Sequence, residues 1–404
     1  MRKVPNRSAR QGRQDIKKTE GNHRISQAKN NRLIVVLGMH RSGTSIVTRG
    51  LQVLGVDLGD NLMPPIKGEN DKGYWEDLDL VALNEEMLCA IGNHWYDLKY
   101  INSFDIAVLK KQGYFILAVQ LLRQKVISTS PFGFKDPRVA KLLPFWEEVF
   151  EHCKFEVSYV FAVRHPLSVV KSLKKRDYME PTQSYLLWLS HIITSLTANI
   201  FSKSILIDYD CLMLSPDKEL NRIAIAFDLK IDQSALLTYK TDFLDNGLRH
   251  TTYELDDLFL DDTCPPIAAE IYKSLLQIAS DKIKFDDIDL CSDIERWRKE
   301  FDRLECSLVL VDTLIEQKKV DKQLIINNEG QIVGLTEVVA ERDALLNAKD
   351  EAWTSRVEQT ASDFEAEIAR IACERDALLN AKDEAWPKRL DQTARKIVFI
   401  LFKK

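Results

Sequence analysis

The sequence predicts an α/β fold, in which helices cover both faces of a parallel sheet in three layers, followed by a long C-terminal helical tail. The sheet is predicted because short β-branched and apolar runs recur along the chain, each followed by a helical pattern. The tail is predicted by a change of composition near residue 290, after which Glu, Lys and Arg are abundant and Gly and Pro are rare.

The predicted strands are four apolar runs: Arg32–Gly38, Phe132–Lys135, Val157–Val163 and Ser204–Asp208. The first run is apolar almost throughout, which is typical of a strand that is buried on both faces. The helices between the later strands have start signals at Pro166, Pro181 and Pro216, because proline is favoured in the first turn of a helix.

Three segments are expected in the 404 residues: a basic arm over 1–31, an α/β domain over 32–290 and the tail over 291–404. The first 32 residues contain ten Lys or Arg against Asp15 and Glu20. A solvated arm is the simpler interpretation, and attraction to anionic lipid or to a polyanionic substrate is the alternative.

No apolar run approaches the roughly 18 to 20 residues that a membrane-spanning helix needs, and no apolar core follows the basic arm as in a secretory signal. The seven cysteines are scattered, with no C-x-x-C pair. We therefore expect a cytoplasmic protein, whose basic arm leaves open a peripheral contact with the inner face of the membrane.

The tail contains an internal repeat, because the segment Glu341–Trp353 recurs letter for letter at Glu374–Trp386. The offset of 33 residues is three units of eleven, which favours a right-handed supercoil over a left-handed one. Homo-oligomerisation through coiled-coil helices is the functional interpretation, and a helix that folds back on the α/β domain is the alternative.

The segment Gly38–Ser45 lies between the first strand and the first helix, where backbone N–H groups and the helix dipole favour an anion. Its Gly-x-x-x-x-Gly spacing is that of a P-loop, but Thr44-Ser45 stands where such loops have Lys-[Ser/Thr]. Arg41 is the only Lys or Arg in the segment. The candidate residues for a P-loop-like phosphate site are His40, Arg41, Ser42, Gly43, Thr44 and Ser45, and a glycine-rich turn without a ligand is the alternative.

Arg41-Ser42-Gly43-Thr44 resembles the 5′-phosphosulfate loop of sulfotransferases that use 3′-phosphoadenosine 5′-phosphosulfate (PAPS). Farther along, the third strand ends at Arg164, and Ser172 follows eight positions later. In that family an Arg and a Ser at this spacing hold the 3′-phosphate of PAPS. A phosphate dianion is well satisfied by one permanent cation and one hydroxyl donor.

The resemblance covers residues 32–255 and is strongest to the bacterial branch of the family. Phe132–Arg138, with its Lys-Asp-Pro element, and Ile205–Leu212 also match family elements. In the cytosolic enzymes a late Arg-Lys-Gly loop contacts the 3′-phosphate, and this loop is absent here. The resemblance implies Arg249 as the residue that replaces this contact. The resemblance implies a P-loop-like sulfotransferase fold, PAPS as sulfuryl donor and no metal.

The catalytic residues that the resemblance implies are Arg41 and Lys135, which would neutralise charge on the transferring group. A surface ion pair with the adjacent aspartate is the alternative for Lys135. Pro137 stands where cytosolic enzymes have a catalytic His, so a carboxylate must take the proton of the acceptor. Glu76 is the first choice and Glu69 the second, and a solvated loop carboxylate is the alternative for each.

The predicted function is transfer of a sulfuryl group from PAPS to a hydroxyl acceptor. A bacterial cell-surface or extracellular glycan is the preferred class, and a lipid-linked sugar or a small hydroxylated metabolite is the alternative. Trp75, Trp95 and Tyr96 are candidates for stacking on sugars, although aromatic residues at such spacings are more often core. The alternatives are a P-loop kinase or phosphotransferase, in which Asp208 would bind Mg²⁺, and a non-catalytic coiled-coil scaffold. No feature favours a specific nucleic-acid partner.

Overall fold

The computed structural model describes residues 31–67, 70–128, 131–198, 203–244, 253–346 and 354–383. The chain divides into two compact units, Met1–Arg303 and Leu304–Lys404. Among the described residues, no helix is both long enough and apolar enough to cross a membrane.

The first unit alternates strands and helices. Its described strands are β1 (Arg32–Leu37), β2 (Phe132–Lys135), β3 (Glu156–Val163) and β4 (Ser204–Asp208). Its described helices are α1 (Thr44–Val53), α2 (Leu78–Ala90), α3 (Ser103–Lys111), α4 (Tyr114–Ser128), α5 (Arg138–Cys153), α6 (Pro166–Asp177), α7 (Pro181–Thr197), α8 (Tyr209–Leu214), α9 (Pro216–Phe227), α10 (Gln233–Thr238), α11 (Asp257–Leu260), α12 (Pro266–Ala279) and α13 (Ile288–Asp302), with a π-helical turn at Tyr239–Phe243.

All four strands are parallel, in the order β2-β1-β3-β4. Val36 of β1 lies opposite Lys135 of β2, and Val163 of β3 lies opposite Asp208 of β4. The carboxyl ends of the strands therefore meet at one edge of the sheet, where open parallel sheets usually bind their ligands. The predicted α/β class and parallel sheet are confirmed.

Both faces of the sheet are covered, because successive side chains of a strand point to opposite faces and those of Leu33–Leu37 are all buried. On one face, Val36 belongs to a core cluster with Leu51 of α1. On the other face, the ring of Phe134 lies 6.3 Å from that of Trp146 in α5. This is the three-layer arrangement that the sequence predicts.

Helix α13 belongs to the first unit, although the change of composition near residue 290 falls within it. Leu290, Ile294, Trp297 and Phe301 are buried, and the helix packs against α7. The first unit therefore extends past the expected boundary at residue 290. The abundant charged residues of α13 lie between these buried positions, as in any amphipathic helix, and composition alone does not separate it from the tail.

In the second unit, α14 (Glu305–Leu346) and α15 (Thr354–Asp383) are long helices that pack against each other. The repeated segments are helical over 341–346 and 374–383, and the rest of both copies lies outside the described residues. Oligomerisation through these helices stays a prediction.

Candidate functional site

The loop after β1 is shaped by two glycines that have no room for a side chain. A Cβ on Gly43, which has φ of +82°, would lie 2.3 Å from Cδ2 of Tyr209. A Cβ on Gly38 would lie 2.6 Å from the carbonyl oxygen of Ala162 in β3. Arg41 has φ of 68°, so the backbone between the glycines also turns through the left-handed region. Such turns point successive N–H groups into a concavity that suits an anion.

The N-terminus of α1 opens onto this loop. The N–H groups of Ile46 and Val47 donate to the carbonyl of Gly43, and helix geometry leaves those of Thr44 and Ser45 without an intrahelical acceptor. The hydroxyl of Ser42 is buried and has no hydrogen-bond partner among the described residues. The loop therefore offers backbone donors, a helix dipole and a hydroxyl to an anion.

Arg41, Arg164 and Ser172 meet beside the loop. Nε of Arg41 donates to Oγ of Ser172 at 2.8 Å, and Nη1 of Arg164 lies 3.4 Å from the carbonyl oxygen of Arg41. Ser172 thus contacts the arginine of the loop, whereas the resemblance implies that it acts with Arg164 on one phosphate. Nε of Arg164 is buried and has no partner among the described residues.

Tyr209 belongs to the family-like segment Ile205–Leu212, where the sequence predicts no role for it, and it joins the two halves of the site. Its ring contacts the open side of Gly43, and the guanidinium of Arg164 lies over it, 4.3 Å from the ring centroid. The available signal was its position as the first residue after β4, at the same edge of the sheet as Arg164.

Lys135 ends β2 and is almost fully buried. Its Nζ donates to Oε1 of Glu76 at 2.5 Å and to Oγ of Ser45 at 3.2 Å. The hydroxyl of Ser45 in turn donates to the carbonyl of Tyr74 at 3.0 Å. The expected alternative, a surface ion pair between Lys135 and Asp136, is wrong, because Lys135 is buried and its ion-pair partner is Glu76.

Glu76 is buried with Lys135, with 7% of its side chain exposed against 2% for the lysine. Burial raises the pKa of the Glu76 carboxyl, and the nearby positive charge of Lys135 opposes that rise. Nη1 of Arg138 lies 3.9 Å from the second carboxylate oxygen. The two residues assigned separate catalytic roles therefore form one ion pair in this structure. Glu69 and Arg249 lie outside the described residues.

A polar network that the sequence did not reveal supports this pair. Asp136 accepts from Asn84 at 2.8 Å and from Nη1 of Arg138 at 2.9 Å, and Arg138 also donates to Glu85 at 2.6 Å. Trp146 donates its indole N–H to Asn84. The sequence signal for this network is the group of charged residues Lys135, Asp136 and Arg138, which stands at the end of a buried strand.

His40 lies against an aromatic side chain from another segment. Its ring centroid is 4.4 Å from that of Trp95, and its Nε2 atom is buried with no partner among the described residues. Burial, reinforced by the positive charge of Arg138 and of other nearby cations, holds the pKa of His40 well below its usual range. His40 is therefore neutral at pH 7 and able to accept or donate one hydrogen bond.

The three aromatic residues proposed for sugar stacking separate into two groups. The ring centroid of Trp75 lies 5.8 Å from that of Phe243 and 5.4 Å from the guanidinium of Arg49. Trp75 also packs against the core cluster. Trp95 and Tyr96 stay together, with ring centroids 5.6 Å apart. Trp95 adjoins the loop after β1 through His40, and Tyr96 contacts Trp95.

No family model matches the chain, and no curated protein matches it. Among solved structures, one similar chain is the sulfotransferase domain from the Synechococcus PCC 7002 olefin synthase, 18% identical, with a TM-score of 0.33, over 62% of this chain and 94% of that one. Another is the sulfotransferase domain from the curacin biosynthetic pathway, 16% identical, with a TM-score of 0.32, over 60% of this chain and 91% of that one.

Proposed function

We propose that this protein transfers a sulfuryl group from PAPS to a hydroxyl acceptor. The observation that carries the proposal is the meeting of Arg41, Arg164 and Ser172 at a strand-loop-helix anion site with no Walker lysine. A donor that carries a 3′-phosphate and a 5′-phosphosulfate on its ribose is well bound by two cations, one for each anionic group, together with hydroxyl donors. Arg41 and Arg164 supply these two cations.

The residues present fit such a donor. The N–H groups of Thr44 and Ser45, the hydroxyl of Ser42 and the guanidinium of Arg41 would hold the 5′-phosphosulfate. Arg164, whose Nε is buried without a described partner, would hold the 3′-phosphate. The donor supplies an activated sulfuryl group, and the chain's own residues position and stabilise it.

Lys135 and Glu76 are the proposed catalytic pair. The transfer makes a sulfur–oxygen bond to the acceptor and breaks the one to the 5′-phosphate, while the proton of the acceptor hydroxyl passes to Glu76. A raised pKa makes this carboxylate a stronger base than an ordinary glutamate. Nζ of Lys135 lies 3.2 Å from Oγ of Ser45 in the loop. At this position its positive charge would stabilise the leaving oxygen.

A glycan remains the proposed acceptor class, since Trp95 and Tyr96 present aromatic rings beside the loop. We further propose that the protein is cytoplasmic and that the helices of the second unit form homo-oligomers. A contact of the basic arm with the membrane is proposed on its sequence alone, because residues 1–30 lie outside the described part of the chain.

The test is transfer of label from ³⁵S-PAPS to acceptor fractions, combined with thermal unfolding in the presence of nucleotides. PAPS and its product, 3′-phosphoadenosine 5′-phosphate, should raise the melting temperature by mass action, and ATP, which has no 3′-phosphate, should raise it much less. Equal stabilisation by ATP, or activity that requires Mg²⁺ and ATP, would instead support a phosphotransferase.

A further inference from the structure

Trp95 connects the phosphate loop to the end of helix α6. One neighbour of its ring is His40, at 4.4 Å, and another is the guanidinium of Arg176, 5.4 Å from the ring centroid. Arg176 lies four residues after Ser172 on α6, hence on the same face of the helix and about 6 Å farther along its axis. Since Ser172 contacts Arg41, these residues form a continuous wall that leads away from the loop.

The segment that carries Trp95 is fixed in place by one buried cation. Nζ of Lys141, in α5, donates to Oδ1 of Asn93 at 2.9 Å, to the carbonyl of His94 at 3.0 Å and to the carbonyl of Asp97 at 2.7 Å. Lys141 is 3% exposed. A lysine buried on three oxygen acceptors holds a backbone segment rigidly, so Trp95 is positioned before any ligand arrives.

The C-terminal end of α6, which carries Arg176, is positively charged. The last seven residues of α6 contain Lys171, Lys174, Lys175 and Arg176 against Asp177 alone. The three lysines are exposed, whereas Arg176 keeps only 20% of its side chain exposed and lies over the ring of Trp95. Asp177 accepts from Nε of Arg176 at 2.8 Å, and residues 171–177 together carry a net charge of three.

We propose that Trp95 and Arg176 form the acceptor subsite, and that the acceptor carries a carboxylate or phosphate close to the hydroxyl that receives the sulfuryl group. Trp95 supplies a flat apolar surface for a sugar ring. Arg176, held by that same ring, supplies the charge for the anionic substituent. This inference rests on the proposed function, because it assigns the second substrate of the same site.

The probes are the 4-nitrophenyl glycosides of glucuronic acid and glucose, which differ by a carboxylate in place of a CH₂OH group. Binding to the full-length protein is measured by calorimetry in the presence of 3′-phosphoadenosine 5′-phosphate. We expect the glucuronide to bind about tenfold more tightly, as for one partly exposed charge-assisted contact. Arg176→Gln should abolish that preference, and Arg176→Lys should keep part of it.

The matched control is Arg298→Gln, which removes an exposed arginine of α13 that is also paired with an aspartate. This variant should keep the full preference for the glucuronide. Trp95→Ala should weaken the binding of both glycosides, since a ring surface does not distinguish charge. Melting temperatures of all variants confirm that each is folded.

The inference is overturned if the wild-type protein binds neither glycoside, if it binds both equally, or if Arg176→Gln keeps the preference. Failure of the proposed function has a different signature. In that case the protein still binds the glucuronide more tightly, and Arg176→Gln still abolishes this preference. However, no ³⁵S is transferred to any acceptor, and PAPS does not raise the melting temperature.

Discussion

The buried ion pair of Lys135 and Glu76 gives the most demanding test of the site. In Lys135→Met the Glu76 carboxylate stays buried, with 7% of its side chain exposed. Among the described residues, the cation that remains near it is Arg138, whose Nη1 lies 3.9 Å from Oε2 of Glu76. Breaking a buried pair in this way typically costs about 3–5 kcal/mol of the free energy of unfolding. We expect that cost at pH 7.5, measured by urea denaturation.

The cost should depend on pH, with a sign that follows from the pKa of Glu76. Burial already raises this pKa above its value of 4.5 in the unfolded chain, and removal of Lys135 removes an opposing influence. Between the two pKa values the native state binds more protons than the unfolded state, so stability falls as pH rises through that window. Lys135→Met should therefore be less destabilising at pH 5 than at pH 7.5.

Two further variants make the test specific. The double variant Lys135→Met/Glu76→Gln should recover part of the loss, because it leaves no uncompensated charge. Lys110→Met is the matched control, since its ion pair with Glu148 is about 40% exposed on both sides and should contribute at most about 1 kcal/mol. A loss below about 1 kcal/mol for Lys135→Met, or the same loss at both pH values, would refute the buried pair.

Catalysis is measured on the same variants. Lys135→Met should lower kcat by about two to three powers of ten while the Kd for PAPS stays near the wild-type value, because the proposed role of the lysine is to stabilise charge that develops in the transition state. Glu76→Gln should lower kcat similarly and flatten the acidic limb of the pH–rate profile. Full activity of Glu76→Gln with loss of activity in Glu69→Gln would move the base to Glu69.

Three other predictions concern binding and assembly. Arg164→Ala should weaken PAPS binding by about 1.5–3 kcal/mol in calorimetry while the fold survives, and an unchanged Kd would remove its assignment to the 3′-phosphate. Gly43→Ala should abolish PAPS binding measured in the same way, because the new Cβ would lie 2.3 Å from the Tyr209 ring at a φ of +82°; normal binding would show that the loop tolerates a side chain. Deleting residues 304–404 should leave PAPS binding intact and reduce the oligomer mass in light scattering, and an unchanged mass would contradict assembly through these helices.

The strands and the glycine-containing turn after β1 could be predicted because their signals are local. A buried parallel strand is a short apolar run, and the position of Arg164 at a strand end places it at the same sheet edge as the loop. The pairing of Lys135 with Glu76 could not be predicted, because 59 residues separate them and an irregular segment brings Glu76 to the lysine. Ser172 was placed near the loop, but only side-chain geometry shows that it contacts Arg41.

The attachment of the segment 93–97 to Lys141 bears on how the proposed acceptor specificity can be changed. Two of the three bonds end on the backbone carbonyls of His94 and Asp97, so these bonds do not depend on the side chains of Trp95 and Tyr96. Libraries that randomise Trp95 and Tyr96 while retaining Lys141 and Asn93 should therefore yield folded enzymes with altered acceptor choice. Randomising Lys141 should yield mostly unstable chains.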